Sequence, residues 1–271
     1  MPELPEVETV RRVLKKAVQG KKILSADIYW NNIIAYPKVE DFKKKIKNQI
    51  IKDIKRYGKW LIFELTDYYL LSHLRMEGKY FIRNKNDPKE KHHHVFFHLE
   101  DEIDLRYCDT RKFGKMYLLE KDNIYKEKPL KELGLEPWDK NLTEKYLKKH
   151  FHKKPIKTEL LDQSIIAGIG NIYADEILFS SKINPKQIAT QLNQKELQNI
   201  IINTKKILEE AIEDGGTTIK SYTSAEGIHG KHQSHLKVHT KQKCPVCNSK
   251  ITKITVGGRG TYYCENCQKE R

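Results

Sequence analysis

The N-terminus reads Met1-Pro-Glu-Leu-Pro-Glu-Val-Glu-Thr-Val10, with a proline directly behind the initiator methionine. Methionine is usually trimmed before so small a residue, and trimming leaves Pro2 with a free secondary amine. An α-amino group titrates at about 7.7–8.0, against roughly 10.4 for lysine. A useful fraction is therefore unprotonated at neutral pH, and an unprotonated amine is a nucleophile. Condensed with a sugar aldehyde carbon, it gives an iminium ion, an electron sink for elimination. Glu3 adjoins it and Glu6 follows three residues later, two carboxylates within reach of acid–base work on the same centre. The same residues also read as a helix start. Pro5 suits a first turn, acidic residues suit a helix N-terminus, and Val7, Val10, Leu14 and Ala17 share one face before Gly20. A helix beginning here would hold the N-terminus in place.

A second group of reactive side chains lies at the other end. Cys244-Pro-Val-Cys247 and Cys264-Glu-Asn-Cys267 are two C-x-x-C knuckles separated by 16 residues. That spacing reads as one structural Zn²⁺, with four thiolates closing a tetrahedral shell and leaving no open position. Between the knuckles, Lys250 to Val256 alternates like a strand, Gly257-Gly-Arg-Gly260 makes a turn, and Thr261-Tyr-Tyr263 leads back. Residues 241–271 carry seven Lys or Arg against two acidic residues, and Arg259 stands at the glycine-lined tip. The fifth cysteine, Cys108, reads as a small hydrophobe buried in a strand.

The elements that must position these groups differ along the chain. Its 271 residues, 38% of them hydrophobic, suffice for two or three domains with real cores. The net charge of +15 favours a polyanion such as nucleic acid. No apolar run has membrane-spanning length and no signal-peptide pattern is present, so a cytoplasmic, nucleoid-associated protein is expected. Residues 22–120 carry short β patterns such as Lys22–Ile28, Trp60–Leu65, Lys79–Ile82, His94–His98 and Lys115–Leu119, which predict an antiparallel sandwich or barrel. After Pro129 the pattern becomes helical. Helices are expected over Thr143–His150 and near Thr158–Leu161, from an N-cap at Asn171 through Phe179, and from Leu197 to a stop at Gly215-Gly216. Ser224–Lys231 reads as a mobile loop.

Three connections carry more than turn chemistry. Arg56-Tyr-Gly-Lys-Trp60 sets Lys59 beside a glycine at a strand start. Ser72-His-Leu-Arg-Met-Glu-Gly78 leaves Met76 in a turn, and Arg111-Lys-Phe-Gly114 pairs a cation with an aromatic ring. Met and Phe at turns serve as wedges that enter a DNA base stack, although each alone is more often a core residue. Gly168-Ile-Gly-Asn-Ile172 precedes a helix whose backbone N–H groups suit a phosphate.

Taken together these residues resemble the bacterial formamidopyrimidine-DNA glycosylases, which remove 8-oxoguanine. The matching segments run from end to end: Pro2-Glu-Leu-Pro-Glu6, Lys59, Ser72–Gly78, Asp109-Thr-Arg-Lys-Phe-Gly114, Gly168–Tyr173, Gly216-Thr-Thr218 and the cysteine hairpin with Arg259. The resemblance implies an α+β multidomain fold. Its parts would be an N-terminal β-sandwich with the first helix (1–130), a helix–two-turn–helix domain with a lesion-recognition loop (131–236) and a zinc-finger β-hairpin (237–271). It implies a monomer acting on double-stranded DNA that contains oxidised purines or abasic sites, with no membrane partner. The implied activity is bifunctional, DNA glycosylase and AP lyase. Pro2 would attack C1′ of a flipped nucleotide, Glu3 would handle protons on the sugar, and β- then δ-elimination would cut both sides of the abasic site. Lys59 and Arg259 would assist, with Glu6 a further candidate. By the same resemblance His73, Met76, His92, Arg111, Phe113, Lys153, Asn171 and Arg259 would contact DNA. Glu77, Thr217, Ser221 and Tyr222 would read the lesion.

The chain departs from the pattern before the zinc site. The family commonly has a Val-Tyr-Gly-Arg-type segment where this chain has Val238-His-Thr-Lys241, which leaves open whether His239 meets a phosphate. Two alternatives stand beside this reading. A sister enzyme of endonuclease VIII type shares the chemistry but prefers oxidised pyrimidines, and Leu4 in place of its usual glycine argues against it. A catalytically silent zinc-containing DNA-binding protein would not need Pro2, Glu3 and Lys59 together.

Overall fold

The computed structural model describes residues 1–121, 124–217 and 230–270. Two compact units divide the chain, Met1–Lys131 and a second containing Glu132–Thr217 with the residues from Lys231 onward.

The first unit opens with α1 (Leu4–Val18), started by a capping box between Glu3 and Glu6 and by Pro5 in the first turn. Glu6 Oε2 accepts from the Glu3 N–H at 2.9 Å. The helix ends before Gly20, whose φ of +85° suits glycine. Then follow β1 (Ile23–Ile28), β2 (Ile34–Tyr36), α2 (Val39–Ile46), β3 (Asp53–Tyr57), β4 (Trp60–Glu64), β5 (Tyr68–His73), β6 (Lys79–Asn84), β7 (His93–Leu99), β8 (Ile103–Cys108) and β9 (Lys115–Glu120). One sheet has the order β2-β9-β5-β4-β3 and the other β1-β7-β8-β6. Every pairing is antiparallel except β2 with β9. Inward residues of both sheets, including Phe63, Leu70, Leu118, Val95, Phe97 and Leu105, share one core with Val7, Val10 and Leu14 of α1. The expected sandwich is therefore present, with α1 and α2 closing its core. Helix α2 was not expected. Its lysine-rich sequence hides the two side chains, Phe42 and Ile46, that it buries one turn apart. Cys108, expected to be buried, ends β8 only half-buried.

The second unit holds α3 (Glu144–His150), α4 (Ile156–Leu160), α5 (Asn171–Ser180) and α6 (Gln194–Glu213), followed by β10 (Thr252–Val256) and β11 (Arg259–Tyr263). Thr143 caps α3 by accepting from the Tyr146 N–H at 3.2 Å. Asn193 and Glu196 form a capping box on α6, which stops at Gly215 and Gly216 with φ of +75° and +82°. Helix α5 is capped by Gly170, one residue earlier than expected, and Asn171 begins the helix itself. The apolar faces of α3 to α6 close one core around Leu147, Ile156, Tyr173, Ile177, Ile200 and Leu208. Gly257 and Gly258, with φ of +55° and +74°, form the two-residue turn between β10 and β11. Arg259 is thus the first residue of β11, paired with Val256.

Candidate functional site

In the first unit the register between α1 and β3 sets the position of the N-terminus. Lys15 meets Asp53 at 2.6 Å, Arg11 donates to the Ile54 carbonyl at 3.3 Å, and Arg56 donates to Glu8 at 3.3 Å. The helix runs back along the strand, so its first residues point toward the β3–β4 turn, Gly58-Lys59. That turn is fixed by Gly58, with φ of +54°, and by Arg56 donating to the Gly58 carbonyl at 2.9 Å. Pro2, Glu3, Glu6 and Lys59 are all buried. Glu8 anchors the arrangement by accepting from Arg11, Arg12 and Arg56. Burial raises its pKa, and the three guanidinium groups outweigh that and hold it below the usual value.

The Leu74–Gly78 and Asp109–Gly114 turns share a floor. The Asp109 carboxylate is buried and accepts the backbone N–H groups of Arg111 at 3.0 Å, Phe113 at 2.9 Å and Gly114 at 2.8 Å. The Tyr107 hydroxyl lies under this turn and under the Leu74–Gly78 turn. A Cβ at either Gly78 or Gly114 would collide with it. The Thr110 hydroxyl donates to Glu77, joining the two turns. On this base Phe113 is 48% exposed, so it belongs to no core, and Arg111 lies 4.7 Å from its ring. Met76 is half-buried. The Asp109 N–H donates to the His92 carbonyl at 3.0 Å, which brings His92 beside the same turn. His73 is buried edge-on to Trp60, with ring centroids 4.7 Å apart, and its Nδ1 accepts from the Arg75 N–H at 2.9 Å. Burial, then the charges of Arg75 and Lys59, lower its pKa to about 3. The ring is neutral, its proton is on Nε2, and that edge is a fixed donor.

In the second unit α4 and α5 grip the hairpin. Lys157 is fully buried and donates to Asp175 at 2.7 Å, the Gly260 carbonyl at 3.0 Å and Thr261 Oγ1 at 2.8 Å. Asn171 Nδ2 donates to the same Gly260 carbonyl at 3.0 Å. A Cβ on Gly257 would stand 2.6 Å from Thr158 Oγ1, so the turn approaches α4 as only glycine allows. Arg259 is exposed on this anchored strand, and Lys153 is exposed between α3 and α4. Glu176 accepts the N–H groups of Lys237, Val238 and His239 at 2.8, 2.9 and 2.9 Å. Asp175 takes His239 Nδ1 at 2.7 Å, so His239 stands mostly buried with one ring nitrogen engaged by a carboxylate.

The four cysteines converge. Their Sγ separations are 3.8 Å for Cys244–Cys267, 3.5 Å for Cys247–Cys264 and 3.6 Å for Cys247–Cys267. Tetrahedral sulfur at about 2.3 Å from zinc requires sulfurs roughly 3.8 Å apart, so these residues fit Zn²⁺. The Ser249 hydroxyl touches Cys247 at 2.9 Å and Cys264 at 3.3 Å. Gln268 links the second knuckle to the helices, accepting from the Cys264 N–H at 2.9 Å and donating to the Ile183 carbonyl at 2.8 Å.

Each unit thus gathers its own share of the expected residues: Pro2, Glu3, Glu6, Lys59, His73, Met76, Glu77, His92, Arg111 and Phe113 in the first, Lys153, Asn171, Thr217, Arg259 and the cysteines in the second. Thr217 is buried, while Ser221, Tyr222 and residues 224–229 of the expected mobile loop lie outside the described residues. Glu8, Arg56, Tyr107, Asp109, Lys157, Asp175, Glu176 and Ser249 position these groups and were not expected. Arg56 and Asp109 stand inside motifs that the sequence singles out, without a role of their own, and the others are only charged or polar residues in or near those segments.

Residues 1–116 match the formamidopyrimidine-DNA glycosylase N-terminal domain, 133–223 the formamidopyrimidine-DNA glycosylase H2TH domain, and 241–269 the zinc finger found in FPG and IleRS. The chain is 47% identical over 273 residues to a Formamidopyrimidine-DNA glycosylase of Shouchella clausii, covering 99% of each chain. It is 45% identical over 276 residues to one of Bacillus subtilis, covering all of both. Among solved structures, Lactococcus lactis Fpg with abasic-site DNA superposes with a TM-score of 0.93 at 39% identity, covering 99% of this chain and 100% of that one. The same Fpg with DNA containing N7-benzyl-Fapy-dG does so with a TM-score of 0.93 at 40% identity and the same coverage.

Proposed function

Given that the chain belongs to the formamidopyrimidine-DNA glycosylase family and is a DNA glycosylase and AP lyase, we propose that it excises oxidised purines through the Pro2 amine. Removal of Met1 frees the amine. Its lone pair attacks C1′ of the flipped nucleotide, the C1′–base bond breaks, and the ring-opened sugar is held as an iminium ion. Loss of a C2′ proton expels the 3′ oxygen, and a second elimination expels the 5′ oxygen. Glu3 carries protons to and from the sugar. The observation that carries this reading is the register of α1 on β3, which aims the helix start at the Gly58-Lys59 turn. Lys59 assists at the sugar, and Arg259 assists from the hairpin. Glu6, already bonded to the Glu3 N–H, acts by holding Glu3.

Flipping costs a few kcal/mol, least at a damaged pair. Met76, Arg111 and Phe113 fill the gap it leaves, and Arg111 faces the orphaned cytosine. His92, Arg111, Lys153, Asn171 and Arg259 contact DNA phosphates, and His73 contacts the DNA. Glu77, Thr217, Ser221 and Tyr222 read the base. One Zn²⁺ per chain, held by Cys244, Cys247, Cys264 and Cys267, braces the hairpin and takes no part in bond cleavage.

The test is borohydride trapping and single-turnover cleavage on a duplex with 8-oxoguanine opposite cytosine. Pro2→Gly, or a chain extended upstream of Pro2, loses the trapped adduct and base release while still binding abasic-site DNA. Undiminished trapping by an N-terminally blocked protein rules out the Pro2 amine. Faster release of thymine glycol than of 8-oxoguanine rules out the purine preference.

A further inference from the structure

We propose that Asp214, His232 and His235 form a binding site for a divalent transition-metal ion, separate from the four-cysteine centre. Asp214 caps the C-terminal end of α6, and the two histidines lie on the short turn by which the chain returns. His232 Nδ1 stands 2.7 Å and His235 Nδ1 2.6 Å from the same oxygen, Asp214 Oδ2. The two rings are 5.8 Å apart and perpendicular, so their nitrogens converge on one point instead of stacking.

The backbone holds this arrangement independently of those side chains. The Lys231 N–H donates to the Asp214 carbonyl at 2.9 Å, the His232 N–H to the Gly216 carbonyl at 3.1 Å, and the His235 N–H to the His232 carbonyl at 2.9 Å. His232 also packs against Tyr173, with ring centroids 5.8 Å apart. Side-chain exposure is graded, 5% for His232, 22% for Asp214 and 59% for His235, which gives two fixed ligands and one at a solvent entrance.

Two imidazoles and one carboxylate suit Zn²⁺, Ni²⁺ or Cu²⁺ and not the oxygen-seeking Mg²⁺ or Ca²⁺. The carbonyl end of α6 adds negative potential at Asp214. Ligands about 2.1 Å from an ion lie roughly 3.4 Å from one another. The cluster must therefore open slightly from its hydrogen-bonded spacing, and rotation of the exposed His235 provides the room. Binding moves each ring proton from Nδ1 to Nε2 and leaves the remaining coordination positions to water. The ion would join residue 214 to residues 232 and 235, across the segment that carries Thr217, Ser221 and Tyr222. The claim of a metal site does not depend on the glycosylase reading.

The test is Ni²⁺ binding by full-length, zinc-loaded protein, read by equilibrium dialysis and elemental analysis of both metals. The wild type is expected to bind one Ni²⁺ per chain while keeping its zinc. His235→Ala and Asp214→Asn should each weaken Ni²⁺ binding by at least the roughly 10–100-fold that an outer-shell change costs. His235 is exposed, so its replacement leaves the fold intact. Absence of Ni²⁺ binding by the wild type overturns the proposal. So does undiminished binding by His235→Ala, which would assign the ion to other histidines such as the His92–His94 run.

Discussion

Burial decides the charge of His73, and that charge has a stability consequence. In the folded protein its pKa is about 3, against 6.5 ordinarily, because the ring is desolvated against Trp60 and stands near Arg75 and Lys59. Between those two values the unfolded chain binds a proton that the folded chain does not. Stability therefore rises with pH through that window and levels off above it. From pH 5 to pH 7 the gain attributable to this one ring is about 2 kcal/mol. His93 and His94 are also lowered by burial and add slope of the same sign, so the readout is a difference between two proteins. Urea unfolding of wild type and His73→Gln at both pH values should show a smaller pH dependence in the variant. Equal dependence would mean that the folded protein takes up the His73 proton as readily as the unfolded chain does. Such behaviour could not be read from Ser72-His-Leu, since nothing local announces the Trp60 edge or the Lys59 charge. The expectation for Pro2 has the opposite origin, since a free proline amine follows from residue type and position, while the role expected of Lys59 came only from the family resemblance.

At the scale of elements, a buried carboxylate at each of several joints converts a flexible turn into a platform. Asp109 is the clearest case, taking three backbone N–H groups from the turn that presents Arg111 and Phe113. Charge-assisted hydrogen bonds of this kind contribute about 1.5–3 kcal/mol when buried. Asp109→Ala should therefore lower the stability of the first unit by about 2–3 kcal/mol. It should also weaken binding to abasic-site duplex, because Arg111 and Phe113, the proposed DNA contacts, lose their support while keeping their side chains. Urea unfolding and a binding titration on the same preparation check both. Unchanged affinity despite lost stability would show that Arg111 and Phe113 do not need the platform. Sequence reading found most strands and the long helices from apolar periodicity. It missed α2, where only Phe42 and Ile46 are buried among lysines. Asp109 stood in a matching segment without a role, and there was no means to find Asp175, Glu176 or Lys157. A buried charge looks like a surface charge until its partner is known, and the partners of Glu176 lie 61 to 63 residues away.

Over the whole molecule the net charge of +15 sets the expectation for affinity. No helix among the described residues is long and apolar enough to cross a membrane. Both units present exposed cations at the proposed DNA-contact positions, Arg111 in the first and Lys153 and Arg259 in the second. Each phosphate neutralised on duplex DNA releases about 0.9 counterion, so three such contacts give a log–log slope near −2.7. Affinity for abasic-site duplex should then fall roughly 40-fold between 50 and 200 mM salt, and more steeply if further lysines take part. Lys153→Ala should reduce the slope by about 0.9. Asn171→Ala should weaken binding without changing the slope, because an amide displaces no cation. Its effect would come through the Gly260 carbonyl it holds and any phosphate it donates to. Fluorescence anisotropy across the salt series separates these cases. A flat wild-type affinity would rule out a phosphate-dominated interface. An unchanged slope in Lys153→Ala would move that lysine off the DNA while leaving the rest of the assignment in place.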